Sequence, residues 1–570
     1  MSVTIINSDS VLDDFETHFK VFAGPGAGKT KWLVEQINNV LTNSKRLDIS
    51  RKIACITYTN VAVDTITKRL RDGIHQVEVT TIHGFLYKHV LKPYAHFLPS
   101  DYQLNVAELK GHDDKVLTGY VFLKEWKEVT KQVRIKDDKA VAAAFHALRW
   151  KFDDAGILFP GTKYPYQADG YSIKNASYMI YKKMAWSRGV VHHDDVLYLS
   201  FELIRLFPFI LDVLRAKFPY FFIDEFQDIS PIQLKLLNKI LEKETIVGVV
   251  GDSAQSIYSF MGATADQLTA FFPTGCREFK IEDNWRSTQK IVDLLNLVRT
   301  DLVQKANREV VGEKPVIIVG DKISCLKKVI EITGSIDICT LSRDNLMVNA
   351  IRKGISTNVV RNVILEMSTG DSSSKRRRTV LWCARAVEYA EQGYFKDALK
   401  EIEKIDDIED EQLAPRRSLE ILKTLLNGKS QFIGGNVMDL FEFINTSSIA
   451  VLPKPTGLAI KNLYNTASYS DLAVCINAID ESLPYRTIHK SKGDEFDCTL
   501  LMLSEAEDGS FDETEELGFL LKPDLGNEEN RIKYVAISRA QNRLYIRVPS
   551  LSAANTAMLT AKGFEVLVYP

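Results

Sequence analysis

A glycine-rich segment that follows an apolar run is the feature that most restricts how this chain can fold. Residues 23–30 read AGPGAGKT, and apolar Val21 and Phe22 come directly before them. The spacing G-x-x-x-x-G-K-[ST] turns the chain tightly and aims backbone N–H groups at phosphate oxygens. Alanine takes the first glycine position at Ala23, and the three glycines that follow still allow the turn. The segment predicts a phosphate-binding loop between a strand and a helix that runs from Lys31 to Leu41.

Each side chain of this loop has a predicted role. Lys29 suits the β- and γ-phosphates of a nucleotide, and the Thr30 hydroxyl suits Mg²⁺. The alternative is a glycine-rich turn without a ligand, which the strand before and the helix after make the weaker hypothesis. We assign the nucleotide contacts to Gly24, Gly26, Ala27, Gly28, Lys29, Thr30 and Lys31.

Composition limits the class of protein. The 570 residues are 45% hydrophobic and 26% charged, which is typical of a globular protein of several domains. The formal net charge of −2 gives no global attraction to nucleic acid, so any basic binding surface must be local. The seven cysteines form no C-x-x-C pair, and we find neither a signal peptide nor an apolar run of membrane-spanning length. We therefore expect a cytoplasmic protein with reduced thiols and no membrane partner.

Strand-like runs that alternate with helical periodicity predict a parallel α/β fold. The clearest runs are Lys52–Tyr58, Tyr220–Ile223, Thr245–Val250 and Thr499–Leu503. Two stretches, residues 91–190 and 351–480, instead have mainly helical patterns, and the first contains no convincing pair of buried strands. We expect these stretches to be helical insertions into α/β domains.

Two charged runs have no assigned chemistry. Lys375–Arg378 lies in an expected loop and would either contact a nucleic-acid backbone or be solvated, and we favour the solvated loop. The acidic stretch Glu505–Glu516 is also expected to be a solvated loop.

A second apolar strand ends in carboxylates. Residues 221–228 read FFIDEFQD, in which Asp224 would hold Mg²⁺ and Glu225 would polarise the attacking water. A third strand leads into a polar loop where Gln255 would sense the γ-phosphate or its water. Tyr258 and Phe260 in that loop would stack on bases. The alternative for Phe260 is a core residue beneath the loop.

These segments, together with several others, resemble the UvrD/Rep helicases of superfamily 1A, in the family's order along nearly the whole chain. The further matches are ITYTNVA at 56–62, TTIHGF at 80–85, HDDVL at 193–197, NWRST at 284–288, TIHKSKGDEF at 487–496 and EENRIKYVAISRA at 528–540.

The resemblance implies a fold and a set of roles. It implies two RecA-like parallel-sheet domains, 1A (1–90 and 191–275) and 2A (276–350 and 481–570), with helical insertions 1B (91–190) and 2B (351–480). The resemblance also implies that ATP and Mg²⁺ bind in a cleft between domains 1A and 2A. Arg286 and Arg539 would contact the γ-phosphate, Trp285 would stack on the adenine, and Glu495 would contact the ribose. The expected DNA contacts are Tyr58, Asn60, His83, Tyr258, Phe260 and His489.

The chain departs from the family pattern at three points. The family has a glutamine upstream of the phosphate loop that reads adenine, whereas the first glutamine here is Gln36. Met261 stands in place of an arginine, and both helical insertions are short for a processive DNA-repair helicase. The first two departures bear on the selectivity for ATP and on the coupling of hydrolysis to strand binding. In the HDDVL match, His193 replaces a phenylalanine.

Two functions stay open at this point. The first is an ATP-dependent helicase or translocase, stimulated by single-stranded DNA and moving 3′ to 5′. The second is a DNA-stimulated ATPase subunit that regulates a partner nuclease of the OLD family, since small proteins of this build resemble the helicase subunit of Gabija-type antiphage systems. A nucleotide switch without nucleic acid would not need Tyr58 and Tyr258 beside the nucleotide motifs.

Overall fold

A computed structural model describes residues 3–70, 75–112, 116–162, 165–168, 171–259, 262–263, 266–334, 338–355, 361–405, 414–476, 484–506 and 509–569. The chain forms two compact units. The first contains Met1–Trp285, Asp301–Asn307 and Gly526–Arg531, and the second contains Arg286–Thr300, Arg308–Leu525 and Ile532–Pro570. The finer division into 1A, 1B, 2A and 2B stays a prediction.

The elements up to Ala306, apart from one helix given below, belong to the first unit. The strands are β1 Thr4–Ile6, β2 Phe19–Ala23, β3 Ile53–Thr57, β4 Val77–Thr81, β5 Arg149–Phe152, β6 Leu158–Gly161, β7 Gln167–Ala168, β8 Tyr171–Ser172, β9 Tyr220–Ile223, β10 Ile246–Gly251, β11 Arg277–Ile281, β12 Asp283–Asn284 and β13 Lys305–Ala306. The α-helices are α1 Lys29–Asn43, α2 Asn60–Leu70, α3 Ile82–Leu86, α4 Lys92–Tyr94, α5 Tyr120–Val129, α6 Asp138–His146, α7 Ala176–Trp186, α8 Asp195–Leu206, α9 Phe209–Lys217, α10 Pro231–Leu241 and α11 Gln267–Ala270. Short 3₁₀ or π-helical turns occupy Tyr87–Leu91, Ala95–Phe97, Ser100–Tyr102, Val106–Glu108, Phe226–Asp228 and Ser253–Gln255.

Seven of these strands form one sheet in the order β1-β11-β2-β10-β9-β3-β4, and every pairing is parallel. In register, Val21 of β2 lies beside Val250 of β10, and Phe222 of β9 lies beside Gly248 of β10. Because the strands are parallel, their carboxyl ends meet at one edge. The predicted phosphate loop and the predicted carboxylates both follow strands at this edge.

Apolar clusters cover both faces of this sheet. On one face, α1 packs through Trp32, Leu33, Ile37 and Val40, whose spacing puts them on one side of a helix. The other face is covered by a larger cluster that includes residues of α3, α8, α9 and α10. With both faces buried, the central strands read as continuous apolar runs, which is why they stood out in the sequence.

The stretch 91–190 corrects one expectation. It is mainly helical, but β5 pairs with β6 and β7 pairs with β8 as short antiparallel hairpins. Trp150 of β5 is buried, so the absence of a buried strand pair was a wrong prediction. Gly156, at φ 76, lies in the turn between β5 and β6 and was the local signal for that hairpin.

The remaining helices, turns and strands begin with α12 at Gln289 and end with β19 at Val568. The helices are α12 Gln289–Val298, α13 Lys322–Thr333, α14 Asn345–Arg352, α15 Val363–Gly370, α16 Ser374–Glu391, α17 Phe395–Glu403, α18 Ala414–Gly428, α19 Val437–Thr446, α20 Leu458–Thr466, α21 Tyr469–Val474, α22 Glu513–Glu516, α23 Gly518–Leu521, α24 Glu528–Ile537 and α25 Ala553–Ala561. Two 3₁₀ turns lie at Lys429–Gln431 and His489–Ser491. The strands are β14 Val316–Val319, β15 Ile338–Ser342, β16 Tyr485–Thr487, β17 Phe496–Met502, β18 Ala540–Val548 and β19 Glu565–Val568.

The second unit contains its own parallel sheet. Six strands have the order β16-β15-β17-β18-β14-β19, and all pairings are parallel. The predicted parallel α/β class is therefore confirmed. Helices α15 to α21 surround a separate apolar cluster, in agreement with the expected helical character of that stretch.

Both charged runs differ from the expected loops. Lys375–Arg378 lies in the first turns of α16, and Arg376 is buried in an ion pair with Asp371. In the acidic stretch, α22 forms at Glu513–Glu516, and Glu505 is buried against Arg547 at 2.9 Å. A charge run in sequence does not reveal which of its members has a buried partner.

Of the helices in the described ranges, none combines the length and the apolar character needed to cross a bilayer.

Candidate functional site

The predicted phosphate loop connects β2 to α1 at the carboxyl edge of the first sheet. Gly26 and Gly28 have φ values of 71° and 77°, in the left-handed region that suits glycine. Gly28 is the N-cap of α1 and offers no side-chain hydrogen bond to the helix. The first N–H groups of an α-helix have no partner inside the helix, and together with the helix dipole they attract an anion. The loop therefore has the geometry of a phosphate site.

Three neighbouring groups hold this loop by its carbonyl oxygens. Pro25 O accepts from Asn284 Nδ2 at 3.1 Å and from Gln304 Nε2 at 2.9 Å. Gly26 O accepts from the backbone N–H of Trp285 at 2.9 Å. A Cβ atom at Gly24 would lie 2.6 Å from the Gln304 side chain, so this close approach requires glycine. Sequence reasoning missed Gln304, and no local motif points to it.

The polar side chains that follow the loop have different partners, and one of these partners is a carboxylate after β9. Lys29 is 8% exposed, and its ammonium donates to Ala23 O at a long 3.4 Å. Thr30 Oγ1 donates to Asp224 Oδ2 at 2.9 Å, which brings together the two oxygen ligands predicted for Mg²⁺. Lys31, by contrast, is exposed and pairs with Asp9 at 2.6 Å. Ala27 is buried behind the loop.

Asp224 and Glu225 follow β9, and each has one unusual property: a raised pKa in Asp224 and a left-handed backbone in Glu225. Burial, and then the neighbouring Glu225 carboxylate, raises the pKa of Asp224 to about 6. Glu225 has φ 53°, a left-handed conformation that is uncommon outside glycine and concentrates at functional sites. Two adjacent carboxylates beside a hydroxyl form a set of hard oxygen donors, which is the set that Mg²⁺ prefers.

Gln255 lies in the turn that follows β10. It is buried, and its Nε2 donates to Asp252 Oδ2 at 2.6 Å. Gln227 connects this turn to Glu225, since its Nε2 donates to Glu225 Oε2 at 2.5 Å and its Oε1 accepts from Asp252 N at 2.9 Å. Sequence reasoning quoted Gln227 within the segment at 221–228 but gave it no role.

The predicted base-stacking residue Tyr258 lies against Tyr58, another predicted DNA contact. The rings of Tyr58, after β3, and Tyr258 stack with centroids 5.1 Å apart and planes at 20°. Both side chains are half-buried, and Asn60 begins α2 as an exposed residue. Phe260 lies outside the described residues, as does Met261, so their predicted roles stay predictions.

His83, in α3, belongs to a group of imidazoles. Its ring stacks on that of His193 with centroids 3.9 Å apart, and His193 Nδ1 lies 2.9 Å from His112 Nδ1. Burial, and then the neighbouring imidazoles, lowers the pKa of His83 to about 3. The imidazole is therefore neutral at neutral pH. Within the described ranges, no group of three or more His, Cys, Asp and Glu side chains is arranged to hold a metal ion.

Trp285 presents a large exposed ring beside the amino-terminal segment. The indole is 49% exposed, and its Nε1 donates to Ser8 Oγ at 2.8 Å. Gln36 does not take over the role of the missing upstream glutamine, because it is buried and its amide bonds to Leu12 N and Ser10 O. It holds the amino-terminal segment on α1.

The remaining predicted residues belong to the second unit. Arg286 Nε donates to Glu495 Oε2 at 2.8 Å, and its Nη1 donates to Ser538 O at 2.9 Å. Arg539 is buried, with Nε on Val535 O at 3.0 Å and Nη2 on Ser538 Oγ at 2.8 Å. The structure thus brings Arg286, Glu495 and Arg539 together around Ser538. His489 lies in the turn His489–Ser491.

Two family models match the chain. The UvrD/REP helicase N-terminal domain matches residues 7–274, and the UvrD-like helicase C-terminal domain matches residues 374–550.

Similar curated proteins carry related names. A probable DNA helicase II homolog of Rickettsia felis is 27% identical over 281 residues, which cover 48% of this chain and 41% of the relative. The ATP-dependent DNA helicase PcrA of Staphylococcus aureus is 26% identical over 287 residues, 49% of this chain and 37% of the relative. The Gabija protein GajB of Bacillus cereus is 23% identical over 335 residues, 50% of this chain and 47% of the relative. The chain thus matches less than half the length of each of these relatives.

Proposed function

Since the chain belongs to the UvrD-like helicase family, we propose that it is an ATP-dependent DNA helicase or translocase whose ATPase is stimulated by single-stranded DNA. The observation that carries the proposal is the contact of Thr30 with Asp224 at 2.9 Å, beside a helix N-terminus without a side-chain cap. One edge of one sheet would thereby supply the phosphate donors, the magnesium ligands and the catalytic carboxylate of an ATPase.

ATP with Mg²⁺ fits the residues present. The N–H groups of the loop and Lys29 would hold the phosphates, and Thr30 with Asp224 would hold Mg²⁺, which neutralises charge on the phosphates. Glu225 would take a proton from the attacking water. The raised pKa of Asp224 supports this assignment, because a buried pair of carboxylates gains most from a bound cation.

The base of the nucleotide would stack on Trp285, whose indole is half-exposed. The amide of Gln36 is occupied by the amino-terminal segment, so we find no glutamine ready to read the adenine edge among the described residues of that segment. We therefore expect weak discrimination between ATP and GTP, as stacking alone does not distinguish purines.

Single-stranded DNA would contact the loops that follow β3 and β10. Tyr58 and Tyr258 supply the aromatic faces, and His83 supplies a neutral ring. Asn60, His489 and Phe260 complete the proposed contacts. The direction, 3′ to 5′, is an expectation from the family.

Arg286 and Arg539 would stabilise the charge that develops on the γ-phosphate. Guanidinium groups suit this role because they are always charged and planar. Domains 1A and 2A, with insertions 1B and 2B at the boundaries given above, would be the parts that ATP draws together. A cytoplasmic location is proposed because all seven cysteines are free.

The likeness to a Gabija protein favours a second candidate function. In it the chain hydrolyses ATP on DNA and regulates a partner nuclease, of the OLD family by the sequence resemblance, with little unwinding of its own. The same ATPase site serves both functions. They differ in what hydrolysis drives, unwinding or regulation of a nuclease, and not in the chemistry of hydrolysis.

Strand displacement and ATP hydrolysis on the purified chain test these functions together. Helicase function predicts hydrolysis strongly stimulated by single-stranded DNA, and displacement from a duplex with a 3′ tail but not with a 5′ tail. Stimulated hydrolysis without displacement would support the regulatory subunit. Equal hydrolysis with and without DNA would overturn both. Lys29→Ala should abolish hydrolysis, while Lys45→Ala, at an exposed lysine away from the site, should not.

A further inference from the structure

Gln227 is a fully buried side chain that connects two loops of the proposed ATPase site. Its Nε2 lies 2.5 Å from Glu225 Oε2, and its Oε1 lies 2.9 Å from the backbone nitrogen of Asp252. The residue is 0% exposed, so water does not compete for these contacts.

The chemistry of the two partners determines which way the amide faces. A backbone N–H only donates, so the side-chain oxygen must face Asp252. The NH₂ group then faces Glu225, where an ionised carboxylate only accepts. Each end of the amide has the partner that it requires.

The backbone leaves this position open for the amide. A Cβ atom at Gly251 would lie 2.6 Å from Gln227 Oε1 and 3.1 Å from Leu268 Cδ2. The glycine that ends β10 therefore allows Gln227 to reach the nitrogen of Asp252. A larger residue would push the amide away from both partners.

Further bonds continue the connection into the loop after β10. Asp252 accepts from Ala254 N at 3.1 Å and from Gln255 Nε2 at 2.6 Å. Ser256 Oγ donates to Gln227 O at 3.1 Å, so both the side chain and the backbone of Gln227 hold this loop. Tyr258, a proposed strand contact, follows two residues later.

We propose that Gln227 is a positioning residue that orients the Glu225 carboxylate for its work on water and relays to it the position of the loop 252–258. Glu225 has a left-handed backbone, a strained conformation that persists only where surrounding contacts hold it. The bond from Gln227 Nε2 is one such contact, and it acts directly on the carboxylate. If bound single-stranded DNA displaces Tyr258, the displacement would change the position of the Glu225 carboxylate through Gln227. This gives a route by which DNA stimulates hydrolysis. The inference deepens the proposed ATPase and rests on it.

Steady-state ATP hydrolysis with and without single-stranded DNA tests the proposal. Gln227→Glu keeps the shape of the side chain but places a carboxylate against Glu225, and Gln227→Leu removes both hydrogen bonds. For both we expect kcat with DNA to fall by about tenfold or more, with KM for ATP little changed, because the groups that bind ATP are not touched. The stimulation by DNA should shrink as well.

A matched control variant and a double variant distinguish a positioning role of Gln227 from a role in folding alone. Gln233→Leu removes another buried glutamine of the same unit, one whose Oε1 accepts from Ser230 N at 2.7 Å in the cap of α10. It should lower the melting temperature slightly and leave kcat unchanged. In a Glu225→Gln background, Gln227→Leu should reduce hydrolysis no further, because a residue that acts through Glu225 has no effect once Glu225 is lost.

The outcomes distinguish this inference from the proposed function. A wild-type chain without DNA-stimulated hydrolysis would overturn the proposed function. Wild-type activity that Glu225→Gln abolishes but that both Gln227 variants retain would overturn the inference alone. A further loss in the double variant, or a rise in KM without a fall in kcat, would also overturn it. If Gln227→Leu does not fold, the isosteric Gln227→Glu gives the deciding measurement.

Discussion

The two units both end their parallel strands at a polar edge, but α1 of the first unit differs from α13 and α14 of the second in how its N-terminus is capped. In the first unit, α1 begins at Gly28 and has no side-chain cap. In the second, Asp321 accepts from the first N–H groups of α13 at 3.0 Å, and Asp344 accepts from Met347 N at 2.9 Å in α14. A carboxylate at a helix N-terminus satisfies the donors and repels a phosphate. The N-terminus of α1 is therefore open to an anion, whereas carboxylates already occupy the N-termini of α13 and α14.

The carboxylates at the two sheet edges also differ, in the charge of the side chain that lies beside them. Asp224 and Glu225 are adjacent, and burial with mutual repulsion raises the pKa of Asp224. Glu505, after β17, lies in a buried ion pair with Arg547 at 2.9 Å. The first edge holds charge that a ligand would relieve, and the second has its charge neutralised by the protein itself. The following predictions test whether this difference governs activity and stability.

The largest effect is expected from the same substitution made at both edges. Glu225→Gln should keep ATP binding and reduce turnover by about 10²- to 10⁴-fold, the scale of lost general-base catalysis. Glu505→Gln should leave turnover of the folded protein near normal but cost of the order of 3 kcal/mol of unfolding free energy, because it leaves Arg547 buried without its anion. Hydrolysis, nucleotide binding and urea unfolding would be measured for both. Near-normal turnover in Glu225→Gln would remove Glu225 from its role.

The second unit's contribution should come from arginine. Arg286→Lys and Arg539→Lys should each reduce hydrolysis by about 10²-fold while DNA binding stays near normal, since lysine lacks the planar fork. Arg543→Lys is the control, because Arg543 is a half-exposed member of a pair with Glu313. Loss of DNA binding with hydrolysis intact in Arg539→Lys would contradict the assignment to the γ-phosphate.

Removal of either stacked tyrosine should weaken strand binding. Tyr58→Ala and Tyr258→Ala should each reduce the affinity for single-stranded DNA by about 1–3 kcal/mol, the usual contribution of one base–aromatic stack. Fluorescence anisotropy with a labelled oligonucleotide measures this change. Tyr485→Ala, at a half-buried tyrosine of the second unit, should leave the affinity unchanged. Unchanged affinity in both stacking variants would exclude these rings from the strand site.

The smallest effect concerns pH and His83. Its pKa is lowered to about 3 in the folded protein, whereas the unfolded chain takes up a proton near pH 6.5. Unfolding is therefore favoured as pH falls through 6.5, and this residue accounts for a loss of about 1 kcal/mol between pH 7.5 and 5.5. His83→Asn should reduce the loss by that amount in urea unfolding at the two pH values. His96→Asn, at an exposed histidine, should not, and an equal loss in wild type and His83→Asn would refute the argument.

Much of the fold could be predicted because its signals are local. The strands β3, β9, β10 and β17 were expected within a few residues of their bounds, since buried parallel strands are short apolar runs. The hairpin of β5 and β6 was missed because its strands alternate only partly and contain Lys151 and Pro160. The basic run at 375–378 was misread because Arg376 finds Asp371 only after α16 has formed.

The site residues also divide into those with a local sequence signal and those whose contacts form only in the folded chain. Glycine spacing and carboxylates at strand ends pointed to the loop and to Asp224, because both features act within a few residues. Gln304 and Gln227 were missed as functional residues, since their partners are Pro25 and Asp252, which are distant in sequence.

The sequence by itself determined the chemistry available to this protein. The tight turn of the loop, the hydroxyl of Thr30 and the carboxylates after β9 follow from residue types and their spacing. Tertiary structure decided which of these groups meet, because the sheet order puts β2 and β9 on either side of β10. That order places Gln227 between Glu225 and the loop after β10, and no local pattern predicts this pair of contacts. Neighbouring strands depend on the packing of the whole domain, whereas a turn depends on its own few residues.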